Sequence, residues 1–273
     1  MIGQIHRFHV GQFECTAICD NNEEGDMEMA KHLFHTVPAA ELEEAVRHSQ
    51  SPILLSINIL HIQTPERQLL VDTSVGGDSS QLMISLRQAG IEPDAIDRII
   101  ITHGHGDHIG GIINADGGFN FPSARYSVWK SEWEYWIDQA EQSHDPQDAA
   151  RRNLLPIRER VDLIDHEAEI VPGVCVLPAP GHTLGHIALL ITSDGEGLLH
   201  IVDAAHHPIQ VTHTDWSPAF DMQPDVSAQT RRLLFERAAW EKLLVMAYHF
   251  PFPGLGRVAE QDGMLRWEAV TGI

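Results

Sequence analysis

"ITHGHGDHIGG" (residues 101–111) sets three histidines and an aspartate within six positions: His103, His105, Asp107 and His108. Imidazoles are poor helix formers, and each buried one needs a hydrogen-bond partner. Crowding them on one loop points to metal binding. The loop follows a hydrophobic strand, "IDRIIIT" (96–102), and loops at strand ends are where a rigid scaffold aims ligands. His103 and His105, two apart, can point to the same side of an extended segment. Asp107 and His108 continue onto a turn that Gly110 and Gly111 permit. A catalytic ion usually takes three protein ligands plus water. Four candidates are too many for one ion and too few for two, so more donors are expected downstream.

They stand at other strand ends. "APGHTLGH" (179–186) puts His182 after a strand at a Pro-Gly turn. "HIVDAAHH" (200–207) puts Asp203 at the end of the next strand, and "MAYHFPFPG" (246–254) does the same for His249. A carboxylate between two cations can bridge them, and Asp203 is the natural bridge. His103, His105 and His182 then hold one ion, and Asp107, His108 and His249 the other. Two ions about 3.5–4 Å apart share a hydroxide and clamp the attacking and leaving oxygens.

The pattern resembles the metallo-β-lactamase superfamily, whose motif T-H-x-H-x-D-H-x-G-G is matched in full from Thr102 to Gly111, with the later His, Asp and His in family order. The resemblance implies an α/β fold, an αββα sandwich with a dinuclear site on the sheet edges. It spans roughly residues 50 to 260. Many members carry Gly before the bridging Asp, where this chain has Val202, so a small backbone adjustment is expected there. "LLVDTSVGG" (69–77) and "HFPFPGLGRV" (249–258) are similar to the methyl parathion hydrolase and N-acyl homoserine lactonase branch.

Composition narrows the partners. Lys plus Arg total 18 against 39 Asp plus Glu, a formal charge of -21. Phosphate binding needs clustered basic residues, so nucleic acid and anionic membrane surfaces are not expected as partners. The hydrophobic fraction, 43%, suits a globular protein with a real core. Cys15, Cys19 and Cys175 form no framework and read as free thiols, the first two buried. The first twenty residues lack an apolar signal core, and no run of 18 apolar residues occurs. A reducing cytoplasm is the expected setting.

Strands are expected at 4–19 (a hairpin turning near Gly11), 53–62, 68–73, 96–102, 124–130, 173–180, 186–193, 197–203 and 242–249, with a hairpin in the tail. Helices are expected at 38–48, 79–90, 131–142 and 225–239. Runs of strands with a few helices suggest two sheets packed face to face with helices outside. No linker or repeat interrupts the chain, so one domain over 1–273 is expected. The acidic run "NNEEGDMEM" (21–29) reads as a solvated loop that could gate the site.

The expected function is metal-dependent hydrolysis of a small neutral substrate. Two divalent ions are expected, zinc first, with manganese, iron or cobalt also suited to His and carboxylate donors. A lactone or carboxylic ester leads, because it asks least of the site. An organophosphate triester is the alternative, with Phe250 and Phe252 as an aromatic leaving-group pocket. A non-catalytic metal-binding or sensor protein is the reading from another class. Asp107 is the candidate proton relay. His206 and His207 are candidates to line the pocket, and His186 is expected to make a structural hydrogen bond. Asp72 either orients a ligand histidine or forms a turn. Trp129, Trp133, Tyr135 and Trp136 are expected mostly in the core, with one or two forming an apolar wall or a dimer contact. A homodimer is implied only by the resemblance.

Overall fold

Apolar runs too long for one-sided strands, such as "LLV" at 69–71 and "III" at 99–101, need burial on both faces. The computed structural model describes residues 4–49 and 51–270 and meets that need with a four-layer sandwich. Among the described residues the first sheet runs in chain order. Its strands are β1 (Ile5–Val10), β2 (Phe13–Glu24), β3 (Leu54–Gln63), β4 (Gln68–Val71), β5 (Arg98–Ile101), β6 (Arg125–Trp129) and β7 (Val161–Ile164). It is antiparallel from β1 to β4 and parallel from β4 to β7. The second holds β8 (Ala168–Val171), β9 (Val174–Pro178), β10 (Ile187–Ser193), β11 (Glu196–Val202), β12 (Leu244–Ala247), β13 (Leu255–Gln261) and β14 (Met264–Ala269), neighbours in sequence pairing throughout.

Between the sheets, Leu60, Ile62, Leu69 and Ile100 meet Val176, Leu189, Ile191 and Met246 in one core. Helices cover the outer faces: α1 (Met27–Leu33), α2 (Ala39–Ser49), α3 (Leu82–Gln88), α4 (Gly106–Ile109), α5 (Lys130–Gln142), α6 (Ala149–Leu154), α7 (Ile209–Thr212) and α8 (Pro224–Glu241). Leu82 and Leu86 of α3 pack on the first sheet with Ile99 and Tyr126. Leu234, Phe235 and Ala238 of α8 pack on Leu199 and Val245 of the second. Helix α8 opens on Pro224, where a missing N–H costs nothing, and stops at Lys242 in the left-handed region.

The acidic run 21–29 is not a loop. β2 continues through it, with Asn22, Glu23 and Glu24 opposite Ser56, Leu55 and Leu54. Asp26 then caps α1 by accepting from the Glu28 and Met29 amides. Cys15 and Cys19 are buried, as expected of free thiols.

Topology gathers the strand ends. β9 and β11 both run antiparallel to β10, so they share a direction, and β12 is parallel to β11. His182, Asp203 and His249 therefore leave one edge of the second sheet. The loop after β5 meets that edge, where the Ile187 amide donates to the Thr102 carbonyl at 3.2 Å.

Two backbone details shape the donor loops. Gly110 has an ordinary helical φ of -63°, so no turn requires it. A Cβ there would lie 2.1 Å from the Val75 carbonyl oxygen, and one at Gly111 2.0 Å from that of Thr73. These glycines serve close approach of the donor loop to 73–75. Val202 sits at φ +50°, beside a register break in β11. That is a costly conformation for a β-branched residue and a free one for glycine.

Candidate metal centre

Asp203 Oδ2 is the hub. It lies 3.1 Å from His249 Nε2, 3.3 Å from His108 Nε2, 3.4 Å from His182 Nε2 and 3.7 Å from His103 Nε2. On one side, His105 Nδ1 is 3.0 Å from both His103 Nε2 and His182 Nε2. On the other, Asp107 Oδ2 is 3.6 Å from His249 Nε2 and 3.7 Å from His108 Nε2. The seven residues singled out in the sequence thus come together as two donor sets around one carboxylate.

Hydrogen bonds behind the rings fix which nitrogen faces inward. His108 Nδ1 donates to Asp72 Oδ2 at 2.8 Å, and His249 Nδ1 to the Ser56 carbonyl at 2.8 Å. His182 Nδ1 donates to Asp221 Oδ1 at 2.9 Å. The Thr102 hydroxyl gives its proton to Asp72 Oδ2 (2.7 Å), so His103 Nδ1 donates to Thr102 Oγ1 at 3.1 Å. Each of these four histidines, when neutral, therefore turns an Nε2 lone pair toward the centre. Asp72 orients the His108 ring rather than merely forming a turn.

Lone pairs converging at 3.0 Å repel unless a cation or proton lies between them. His108 Nε2 and Asp203 Oδ1 are buried without a hydrogen-bond partner, which is costly for polar atoms. The donor set fits divalent cations. Its electrostatics agree. Burial, with His108 adjacent, pushes His103 well below the ordinary imidazole range, and burial with His182 pushes His105 down to about 4. Both are thereby held neutral, the form in which an imidazole can ligate a metal. Burial works against a charge on His108, yet Asp203, Asp107 and Asp72 hold it well above its usual range. Burial likewise opposes a charged Asp203, but His249 and His108 hold its carboxyl well below the carboxylate range. A site that draws positive charge onto a buried imidazole is one of strongly negative potential.

The remaining expected residues divide. His206 Nε2 is 3.3 Å from Asp203 Oδ2, and the residue is buried beside the centre. His207 turns away: Nε2 faces the Pro52 carbonyl at 3.1 Å and Nδ1 accepts from the Ile209 amide. Phe250 is buried against Trp267, ring centroids 5.0 Å apart, and Phe252 packs against the inter-sheet core. Neither lines the donor cluster. His186 is structural: Nδ1 donates to the Ala179 carbonyl at 2.9 Å, and Nε2 accepts from the Asp203 amide at 3.2 Å.

Several residues at the centre carried no recognisable signal. Glu132 of α5 is buried and accepts from the Gly104 amide (3.0 Å), the Gly185 amide (2.7 Å), Thr183 Oγ1 (2.8 Å) and Trp136 Nε1 (2.6 Å). It ties the His103–His105 loop to the His182 loop. Tyr248 stacks on His108 at 4.0 Å and donates its hydroxyl to the Asp107 carbonyl at 2.6 Å. Phe220 packs edge-on to His182 and His206 yet stays 41% exposed, and Leu184 and Met222, two residues along the chain from His182 and Phe220 respectively, are also exposed. Trp136, from the aromatic group already singled out in the sequence, stands edge-on to His105 at 5.5 Å.

The sequence profile of the Metallo-beta-lactamase superfamily matches residues 53–243. An N-acyl homoserine lactonase of Bacillus thuringiensis is 26% identical over 208 residues, covering 73% of this chain and 77% of its own. The dizinc quorum-quenching lactonase AidC, solved with a homoserine product, superposes with a TM-score of 0.88 at 25% identity, covering 100% of this chain and 99% of its own. The hydrolase AbOPH superposes with a TM-score of 0.87 at 24% identity, covering 100% and 99%, a likeness of fold. Among the described residues no helix is long and apolar enough to cross a membrane.

Proposed function

The chain belongs to the metallo-β-lactamase superfamily, and from that premise we propose that it is a dinuclear metal-dependent hydrolase of neutral lactones, N-acyl homoserine lactones first. The observation that carries the reading is the convergence of two donor sets on Asp203 Oδ2. His103, His105 and His182 would hold one ion, and Asp107, His108 and His249 the other, with Asp203 common to both. All-His and carboxylate donors suit zinc. When bound, such a pair brings the pKa of water near neutrality and polarises a carbonyl.

The chain's own groups do the rest. Asp107, its side chain 34% exposed where the other carboxylate is buried, stands at the mouth of the centre. Its carboxylate accepts the proton of water as the oxygen adds to the lactone carbonyl carbon. When the ring C–O bond breaks, the same proton passes to the departing alkoxide and leaves a free hydroxyl. Tyr248 fixes the Asp107 backbone from behind. Exposed Phe220, Met222 and Leu184 offer apolar ground for an acyl chain next to His182 and His206. The triester reading loses its aromatic pocket, since Phe250 and Phe252 pack into cores.

Comparing kcat/KM of the zinc form for an N-acyl homoserine lactone, an aryl acetate and a methyl phosphotriester tests the proposal. The lactone should be at least about tenfold the best, a difference of roughly 1.4 kcal/mol in transition-state binding. A triester preferred by that margin overturns it.

A further inference from the structure

Arg231 is the largest fully buried side chain of the described residues, and all five of its N–H donors are used. Nε donates to the Ala204 carbonyl at 2.6 Å, and Nη1 to those of Thr214 and Trp216 at 2.8 and 2.9 Å. Nη2 donates to Asp221 Oδ2 at 3.2 Å and Ser227 Oγ at 3.1 Å. The acceptors lead to one place. Ala204 follows the shared carboxylate Asp203. Asp221 gives its other oxygen to His182 Nδ1 at 2.9 Å. Thr214 and Trp216 begin the segment that ends at Asp221, and next to it the Met222 amide donates to the His182 carbonyl at 3.0 Å.

We propose that Arg231 is the positioning residue of the His103–His105–His182 donor set. It holds Asp221 Oδ2, leaving Oδ1 facing His182, so that His182 keeps its Nδ1 proton outward and its Nε2 lone pair inward. A buried guanidinium is costly to desolvate, and an apolar side chain would fill α8 at less expense. No other donor has this kind of support. His108 leans on Asp72, whose remaining partners are the Thr102 amide and hydroxyl, and His249 on a carbonyl. The inference rests on the metal-dependent reading but not on the substrate, because no substrate enters its test.

The test is zinc affinity, measured by competition with a chromophoric chelator on metal-stripped protein that is otherwise intact. Outer-shell partners of a ligand histidine typically account for 10–100-fold in metal affinity. Arg231→Met should weaken one of the two ions by about that factor and leave the other within about twofold. Arg231→Lys should not rescue it, since an ammonium lacks the planar fork that spans five acceptors. Asp221→Asn, which leaves the carbonyl bonds of Arg231 in place, should weaken the same ion and carries the test if Arg231→Met does not fold. In a His182→Ala background, Arg231→Met should change zinc affinity no further. Equal weakening of both ions, unchanged affinities with a lowered Tm, or an undiminished effect of Arg231→Met in the His182→Ala background would each reduce Arg231 to a strut and overturn the proposal.

Discussion

The two donor sets share one oxygen and little else. In the first, His103 and His182 are buried, their loops are tied together by Glu132, and His182 is backed by a carboxylate already paired with Arg231. In the second, Asp107 and His108 ride on the short helix α4, and the backing carboxylate Asp72 has no basic side chain but His108 itself. The proton demands differ accordingly. Burial first, then neighbouring imidazoles, push His103 and His105 below the usual imidazole range, whereas carboxylates overcome burial and raise His108 and His249. One set is arranged by geometry around neutral donors, the other by an excess of negative charge. Similar ligand chemistry is thus supported by two different physical means.

Removing what the sets share is the severest way to break the comparison. Asp203→Ala should lower zinc content from two per chain to below one, and kcat/KM should fall by more than the roughly 100-fold that outer-shell losses reach. Retention of one full ion, measured by elemental analysis, would mean that the sets do not depend on a common oxygen.

Next come changes confined to one side. Asp72→Asn should weaken the ion of the second set by about 10–100-fold and spare the first, read in the same chelator competition. Glu132→Gln turns one carboxylate oxygen into an NH2 and so leaves two of its four donors without an acceptor, each worth about 1–3 kcal/mol when left unpaired. Urea unfolding should therefore show a loss of a few kcal/mol, with zinc affinity falling by about tenfold in the first set alone. Symmetric effects from either variant would erase the distinction drawn here.

The smallest effect belongs to the strand that delivers Asp203. Val202→Gly gives up buried surface but releases a left-handed valine, a strain of about 1–2 kcal/mol. It should cost about that much less stability than Val245→Gly, also fully buried but without a positive φ. Equal losses in urea titrations would show Val202 to be unstrained.

What the sequence made legible was whatever is local. Four donors sit in six residues after one strand, and the other three each close a strand, so chain order and strand ends suffice to find them. The supports were hidden because they act across the fold: Glu132 reaches residues 28 and 53 positions away, and Arg231 contacts a loop 27 positions upstream. Nothing near Glu132, Asp221 or Arg231 marks them apart from other charged residues of a helix or loop. Phe250 and His207 were misjudged for a local reason. Each directly follows a residue that faces the centre, but on bent chain past the strand end, where the next side chain turns away, Phe250 onto Trp267 and His207 onto the Pro52 carbonyl. The acidic run 21–29 misled differently, because pairing with β3 outweighed its polar composition.

The donors come from both halves of the sandwich: His103, His105, Asp107 and His108 from the edge of the first sheet, and His182, Asp203 and His249 from the second. Ions held there would act as rivets across a seam that hydrogen bonds also close, among them Ile187 to Thr102, Asn58 to Tyr248 and Ser56 to His249. Ligand that binds only the folded chain adds its binding energy to folding. Metal supply would then govern how long the protein survives as well as how fast it works. Stripped of metal, the chain should open first along this seam, and proteases would find it there before they reach the inter-sheet core.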